Sequence, residues 1–144
     1  MISIRPAVEN DIEALCTLDH IARREDERRE FIRREVVSDH CFVAVFDETV
    51  VGYVVLNYTF YNNGCIDMLY IHSDYRRRGA ATALVRQMEL RCRTPKLFTS
   101  TNQSNLSMQS MLAKLGYEPS GIIHNLDEGD PELVYFKRVS IVED

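Results

Sequence analysis

Arg76, Arg77 and Arg78 run directly into Gly79, Ala80 and Ala81, where an apolar and aromatic stretch ending near Ile71 gives way to a helical pattern. The chemistry this combination suits is the holding of a phosphate or pyrophosphate. A helix start leaves backbone N–H groups unpaired and carries partial positive charge. A glycine there lets a ligand oxygen approach the backbone, and small residues after it keep the approach open. Ordinary loops with solvated arginines show the same spacing, so spacing alone leaves both readings standing. The sequence contains no G-x-x-x-x-G-K-[ST] and no G-x-G-x-x-G after a first strand. This sets aside a P-loop nucleotide hydrolase and a dinucleotide fold. A second chemical cluster is "NLDEGDPEL", where Asp127, Glu128, Asp130 and Glu132 gather four carboxylates within six positions. It suits a cationic amine, although a solvated turn punctuated by Gly129 and Pro131 is the commoner origin of such a loop.

The whole chain constrains what these residues serve. At 144 residues, 45% of them hydrophobic, it has the length and composition of one globular domain, expected to span 1–144. A formal net charge of −5 and a pI near 5.4 argue against nucleic acid as a partner. Cys16, Cys41, Cys65 and Cys92 are more than twenty residues apart with no C-x-x-C pair, which reads as free thiols and no metal site. No apolar run approaches a membrane span, and "MISIRPAVEN" lacks an apolar leader core. A cytoplasmic chain without a membrane partner is therefore expected.

The elements that must position the clusters follow from periodicity. "ISIRPA" reads as an edge strand stopped by Pro6. Asn10 with Glu13 reads as a capping pair for a helix with Ile12, Leu15, Cys16, Leu18 and Ile21 inward. "RREDERREFIRREVV" is a second helix with Glu25–Arg29 and Glu30–Arg34 four apart and Phe31, Ile32 and Val36 inward. "CFVAVF" and "TVVGYVVLNY" form a hairpin about Asp47-Glu48, and "NNG" turns into the strand "CIDMLYIH". A helix from Gly79, the strand "KLFTST", a helix from Asn105 to Leu115 ended by Gly116, and two strands around the acidic loop complete the chain. The order is β-α-α-β-β-β-α-β-α-β-β, an α/β or α+β domain with a mixed sheet.

"DYRRRGAATALV" resembles the acyl-CoA signature of the GNAT N-acetyltransferases, [QR]-x-x-G-x-[GA], with Arg76, Gly79 and Ala81 at the defined positions. "LYI" before it resembles the strand that pairs with pantetheine, and "NQSNLSMQSMLAKLGYEPSG" resembles the family's asparagine, helix and "LGF" segment. The element order agrees along essentially the whole chain. The resemblance implies a GNAT fold: a central mixed, mostly antiparallel sheet of about seven strands flanked by four helices. It further implies acetyl transfer from acetyl-CoA to an amine, with no metal and with a homodimer possible, as in many relatives.

By the same resemblance, the backbone of Leu69, Tyr70 and Ile71 holds the acetyl and pantetheine part. Arg76, Arg77, Arg78, Gly79, Ala80, Ala81 and Thr82 hold the pyrophosphate, and Asn105 contacts the cosubstrate near the end of its pantetheine arm. Asp67 falls where diamine acetyltransferases of the family carry a glutamate base, and is the candidate general base. Asp127, Glu128 and Asp130 are candidate acceptor-binding residues for a small cationic amine or a basic peptide. Two departures matter. Leu112 stands where many members carry a tyrosine acid, and Ser100 stands where ribosomal-protein acetyltransferases carry a glutamate. Tyr117 and His124 read as ordinary strand residues. The alternatives to a small-amine transferase are protein N-terminal or lysine acetylation, and a non-catalytic acyl-CoA sensor.

Overall fold

In the computed structural model, which describes residues 1–139, seven strands and four helices alternate in the expected order, with two added 3-10 turns. They are β1 (Ile2–Pro6), α1 (Ile12–Leu18), α2 (Asp26–Val37), β2 (Cys41–Phe46), β3 (Thr49–Phe60) and β4 (Asn63–Ile71). They continue with α3 (Ala80–Arg91), β5 (Lys96–Asn102), α4 (Leu106–Lys114), β6 (Glu118–Ile123) and β7 (Glu132–Arg138). Hydrogen-bonded neighbours follow the order β1-β2-β3-β4-β5-β7-β6. β4 and β5 are parallel; β1–β2, β2–β3, β5–β7 and β6–β7 are antiparallel. This is the mostly antiparallel α/β sheet the family resemblance implies. Contacts gather into two compact units. The first comprises Met1–Leu56 and Met68–Met88; the second comprises Asn57–Asp67 and the described residues from Glu89 onward.

In the first unit, β1 lies at the sheet edge with Pro6 opposite Phe42, where a missing N–H costs no ladder bond. Asp47 and Glu48 both have positive φ, 46° and 69°, the left-handed turn that matches the twist of a tight hairpin. Leu15, Ile32, Val43, Tyr53 and Val55 are fully buried together. The start of α1 differs from expectation. Asn10 and Glu13 do not form the cap: Glu9–Asp11 is a 3-10 turn, and Asp11 Oδ2 accepts from the Val8 N–H at 2.8 Å. The Asp11 carboxylate makes no cap bond to α1; Arg5, arriving on β1, donates to both of its oxygens, at 2.8 and 3.0 Å. On α2, Arg29 pairs with Asp26 and Arg33 with Glu30, three residues apart rather than the expected four. Arg34 lies over the Phe31 ring instead of reaching Glu30.

In the second unit, the β3–β4 turn is Tyr61-Asn62, both at positive φ, so β4 begins at Asn63 inside the "NNG" stretch. The parallel β4–β5 ladder runs from Gly64↔Leu97 to Ile66↔Thr99. β5 pairs β7 from Lys96↔Arg138 to Asn102↔Glu132. α4 ends as expected: Gly116 takes φ 92°, its N–H reaches Ala113 O, and the Tyr117 N–H reaches Leu112 O at 2.9 Å. That pair of bonds is the Schellman closure that glycine makes easy.

Candidate functional site

The arginine loop lies wholly within the first unit. After β4, the His72 N–H donates to Val51 O, and His72 Nδ1 accepts from the Asp74 N–H at 3.1 Å, starting the 3-10 turn Ser73–Tyr75. The three arginines then separate in role. Arg76 Nε donates to Ile71 O at 3.0 Å, and its guanidinium lies 5.9 Å from the centre of the Tyr70 ring. Arg78 packs over Phe46 and Tyr75, at 5.6 and 5.4 Å. Arg77 is exposed and takes the left-handed conformation, φ 63°. Arg76 thus ties the loop back to β4, and Arg78 props it on aromatic faces.

Gly79 has φ 88°, and a Cβ built on it would meet nothing within 4 Å. Its requirement for glycine is therefore conformational, and the space above it is open. The first helical bond of α3 runs from the Ala83 N–H to Gly79 O at 3.0 Å. The N–H groups of Ala80, Ala81 and Thr82 consequently have no acceptor within the helix. Open space over a positive-φ glycine beside unpaired helix-start amides fits a pyrophosphate.

A polar network that sequence reasoning did not single out fixes the link between α1 and α2. α1 stops at Leu18, short of Ile21, because Asp19 turns inward and becomes fully buried. Asp19 Oδ2 accepts from Tyr53 Oη at 2.6 Å and Arg28 Nη1 at 2.7 Å; Oδ1 accepts from the N–H groups of Ile21 and Ala22. Burial raises the carboxyl's pKa, but the Tyr53 and Arg28 bonds outweigh it and hold the carboxyl below the usual range. Burial, reinforced by the adjacent carboxylate, pushes the Tyr53 phenol up. The visible signal was an aspartate at the break between two amphipathic helices and a tyrosine inside an apolar strand. On the same link, His20 Nδ1 lies 2.6 Å from Tyr70 Oη, and the His20 N–H donates to that oxygen at 3.2 Å.

The second unit holds the other candidates. Asp67 is exposed, and its Oδ2 accepts from Asn57 Nδ2 at 3.0 Å. Asn57 is itself buried, with Oδ1 accepting from Thr59 Oγ1 at 3.0 Å. Asn105 caps α4, its Oδ1 accepting from the Met108 N–H at 3.1 Å. The acidic loop is held beside this cap: Ser104 donates its N–H and hydroxyl to Asp130, and Asn102 Nδ2 donates to Asp127 at 2.9 Å. Asp127 and Asp130 thus hold the loop in place, while Glu128 is exposed at its tip. Ser100 Oγ donates to Glu132 Oε2 at 2.7 Å. Leu112 is fully buried, and Tyr117 is buried with its hydroxyl donating to Glu89, which also binds Lys137. The four cysteines are free thiols; burial pushes Cys41 and Cys65 up to about 12. Among the described residues, no helix is long and apolar enough to cross a membrane.

The family profile described as the acetyltransferase (GNAT) family matches residues 8–117. The chain belongs to the GNAT acetyltransferases. It is similar to a GNAT acetyltransferase of Bacillus cereus, with 30% identity over 97% of this chain and 99% of that one, and a TM-score of 0.91. More distant in sequence is a Bacillus anthracis protein assigned as a streptothricin acetyltransferase and solved with acetyl coenzyme A. It has 13% identity, a TM-score of 0.78, and coverage of 97% and 99%. The Escherichia coli ribosomal-protein-S18-alanine N-acetyltransferase has 15% identity, a TM-score of 0.78, and coverage of 100% and 97%. Among proteins with curated descriptions, none matches. Within this GNAT chain, Leu69–Ile71 and Arg76–Thr82 belong to the first unit; Asp67, Asn105 and the acidic loop belong to the second.

Proposed function

We propose that this GNAT acetyltransferase moves the acetyl group of acetyl-CoA onto the amine of a small cationic molecule, acting as one cytoplasmic catalytic domain. The observation that carries the cosubstrate half is the α3 start: Gly79 at φ 88° under open space, followed by helix amides without helical partners. A GNAT relative solved with acetyl coenzyme A supports the same reading.

In this reading the backbone of Leu69, Tyr70 and Ile71 binds the acyl arm. Arg76 to Thr82 bind the pyrophosphate, and Asn105 offers its amide nitrogen while its oxygen caps α4. When bound, acetyl-CoA supplies an activated thioester carbonyl. The acceptor must arrive as a free amine, and an alkylamine is about three pKa units, or about 4 kcal/mol, from that state at neutral pH. Asp67, oriented by Asn57, is the carboxylate that takes the proton; exposed Glu128 draws the cation in.

A second reading, transfer to a protein N-terminal amine, has one specific observation in its favour. Ser100 replaces the glutamate of that class, yet its hydroxyl holds the Glu132 carboxylate 2.7 Å away, so a carboxylate occupies the neighbourhood. Thiol release from acetyl-CoA over a panel of polyamines, aminoglycosides, amino acids and basic or alanine-starting peptides tests both readings. Turnover of polyamines or aminoglycosides supports the first, and turnover confined to peptides supports the second. Acetyl-CoA should also raise the melting temperature; no shift at millimolar acetyl-CoA would overturn the proposal.

A further inference from the structure

We propose that Tyr70 is a catalytic acid–base residue for the acceptor amine, with His20 as the group that receives its proton. This deepens the acetyl-transfer reading and rests on it, because that reading places the acyl arm on the β4 backbone around Tyr70.

Tyr70 Oη takes the His20 backbone N–H at 3.2 Å and lies 2.6 Å from His20 Nδ1. A backbone N–H can only donate, so the oxygen accepts there, and both contacts are satisfied when the phenol proton points to Nδ1. The imidazole then carries its own proton on Nε2, and the ring is exposed, giving that proton an outlet to water. Such a short contact between an exposed histidine and a strand tyrosine needs a rigid support. The Asp19 network supplies it, since four bonds to a fully buried carboxylate fix the residue directly before His20.

Charged and titratable groups face the pair from each packed element. Arg76 lies over the Tyr70 ring at 5.9 Å, and Tyr53 of β3 stacks on it at 6.2 Å. Asp19 and Arg28 behind them are bonded to each other. Arg76 thus places a cationic group over the Tyr70 ring.

The step balances within these residues. The phenol proton moves from Tyr70 Oη to His20 Nδ1, and Oη takes a proton from the acceptor ammonium. The freed nitrogen lone pair forms the C–N bond as the C–S bond breaks; the thiolate leaves with that electron pair and takes up the second nitrogen proton, becoming the thiol. The imidazolium returns one proton to solvent, and exchange with solvent through the exposed ring restores the starting Nε2–H form. The net products are an amide, a thiol and one proton. In this step Tyr70 takes the ammonium proton in place of Asp67, so the inference keeps the acetyl-transfer reading and replaces the base assigned there.

Tyr70→Phe keeps the stacked ring and removes only the hydroxyl; His20→Asn keeps a polar group near the Nδ1 position that cannot take up a proton. With the panel amine turned over fastest, kcat/KM should fall about a hundredfold in each, the acidic limb of the pH–rate profile disappearing. The acetyl-CoA-induced rise in melting temperature should stay as in wild type. Independently of turnover, 15N spectra of the wild-type protein should show His20 protonated at Nε2 and accepting at Nδ1, with the Nδ1 signal shifted in Tyr70→Phe. Activity within twofold of wild type in either variant, or an Nδ1-protonated ring, overturns the proposal. Wild-type protein that does not bind acetyl-CoA overturns the acetyl-transfer reading instead. Wild-type protein that binds it but acetylates no panel amine overturns both.

Discussion

Gly79→Ala isolates the backbone conformation on which the pyrophosphate assignment depends. The added Cβ meets nothing within 4 Å, so no steric clash enters. The whole cost is that of holding a non-glycine residue at φ 88°, about 1–2 kcal/mol. Unfolding entropy of about 2.1 cal/mol/K per residue gives about 0.3 kcal/mol/K over 144 residues, so the melting midpoint should fall by about 3–7 °C. Gly129, in the acidic loop, is a matched control: φ 76°, again with nothing within 4 Å of a Cβ. Gly129→Ala should lose a similar amount. Acetyl-CoA separates the two. At a concentration a hundred times its Kd, a ligand that binds only the folded state adds about 2.7 kcal/mol; a tenfold weaker Kd leaves about 1.4 kcal/mol. Gly79→Ala should therefore lose about half of the ligand-induced shift in a thermal melt, and Gly129→Ala none of it. If Gly79→Ala keeps the full shift, the α3 start is not the pyrophosphate cradle. If its ligand-free midpoint is unchanged, the conformational reasoning is wrong.

Tyr53→Phe deletes one of two side-chain donors to the buried Asp19 carboxylate and should cost about 2 kcal/mol in chemical denaturation, with an unchanged m-value. Arg5, by donating to its side chain, holds the Asp11 carboxyl below the usual carboxylate range against a smaller effect of burial. A depressed folded-state pKa contributes stability that is present above the unfolded value, about 3.9, and lost as pH falls through the folded value. Denaturation between pH 5 and 2 should thus show a shallower acid loss in Asp11→Asn than in wild type. Tyr117→Phe should lower stability by about 1–2 kcal/mol through its bond to Glu89, yet leave kcat and its pH profile unchanged. A drop in kcat there would make Tyr117 the missing acid. Leu112→Ala, at a fully buried position, should cost about 2–5 kcal/mol by circular-dichroism melts.

Much of the fold was legible because the signals are local. The β-branched and aromatic run "CFVAVF", the glycine that closes α4, and the switch from strand to helical period at Gly79 each report on a few neighbouring residues. The element order followed directly. One error arose where a distant residue intervened, another in the choice among local partners. The capping pair expected of Asn10 and Glu13 did not form; Asp11 precedes α1 instead, its carboxylate occupied by Arg5 from β1 and the Val8 N–H rather than by α1. Glu30 pairs with Arg33 while Arg34 finds an aromatic face. The Arg5 competition is invisible in the helix's own sequence, whereas the partners of Glu30 and Arg34 all lie within α2, where spacing alone did not rank them.

For the candidate site the division is sharper. The turn into α3 at Gly79 was readable from the chain alone, because a glycine at a helix start and the small residues after it act through backbone geometry that short spacing encodes. The family profile agrees with that reading at the level of the fold. What the individual side chains do depends on how the elements pack. The tertiary structure tied Arg76 to Ile71, spent Asp127 and Asp130 on Asn102 and Ser104, and brought His20 to Tyr70 across fifty positions of chain. The physical reason is that a side chain's partner is set by which elements pack together, and hydrogen bonds act only over about 3 Å.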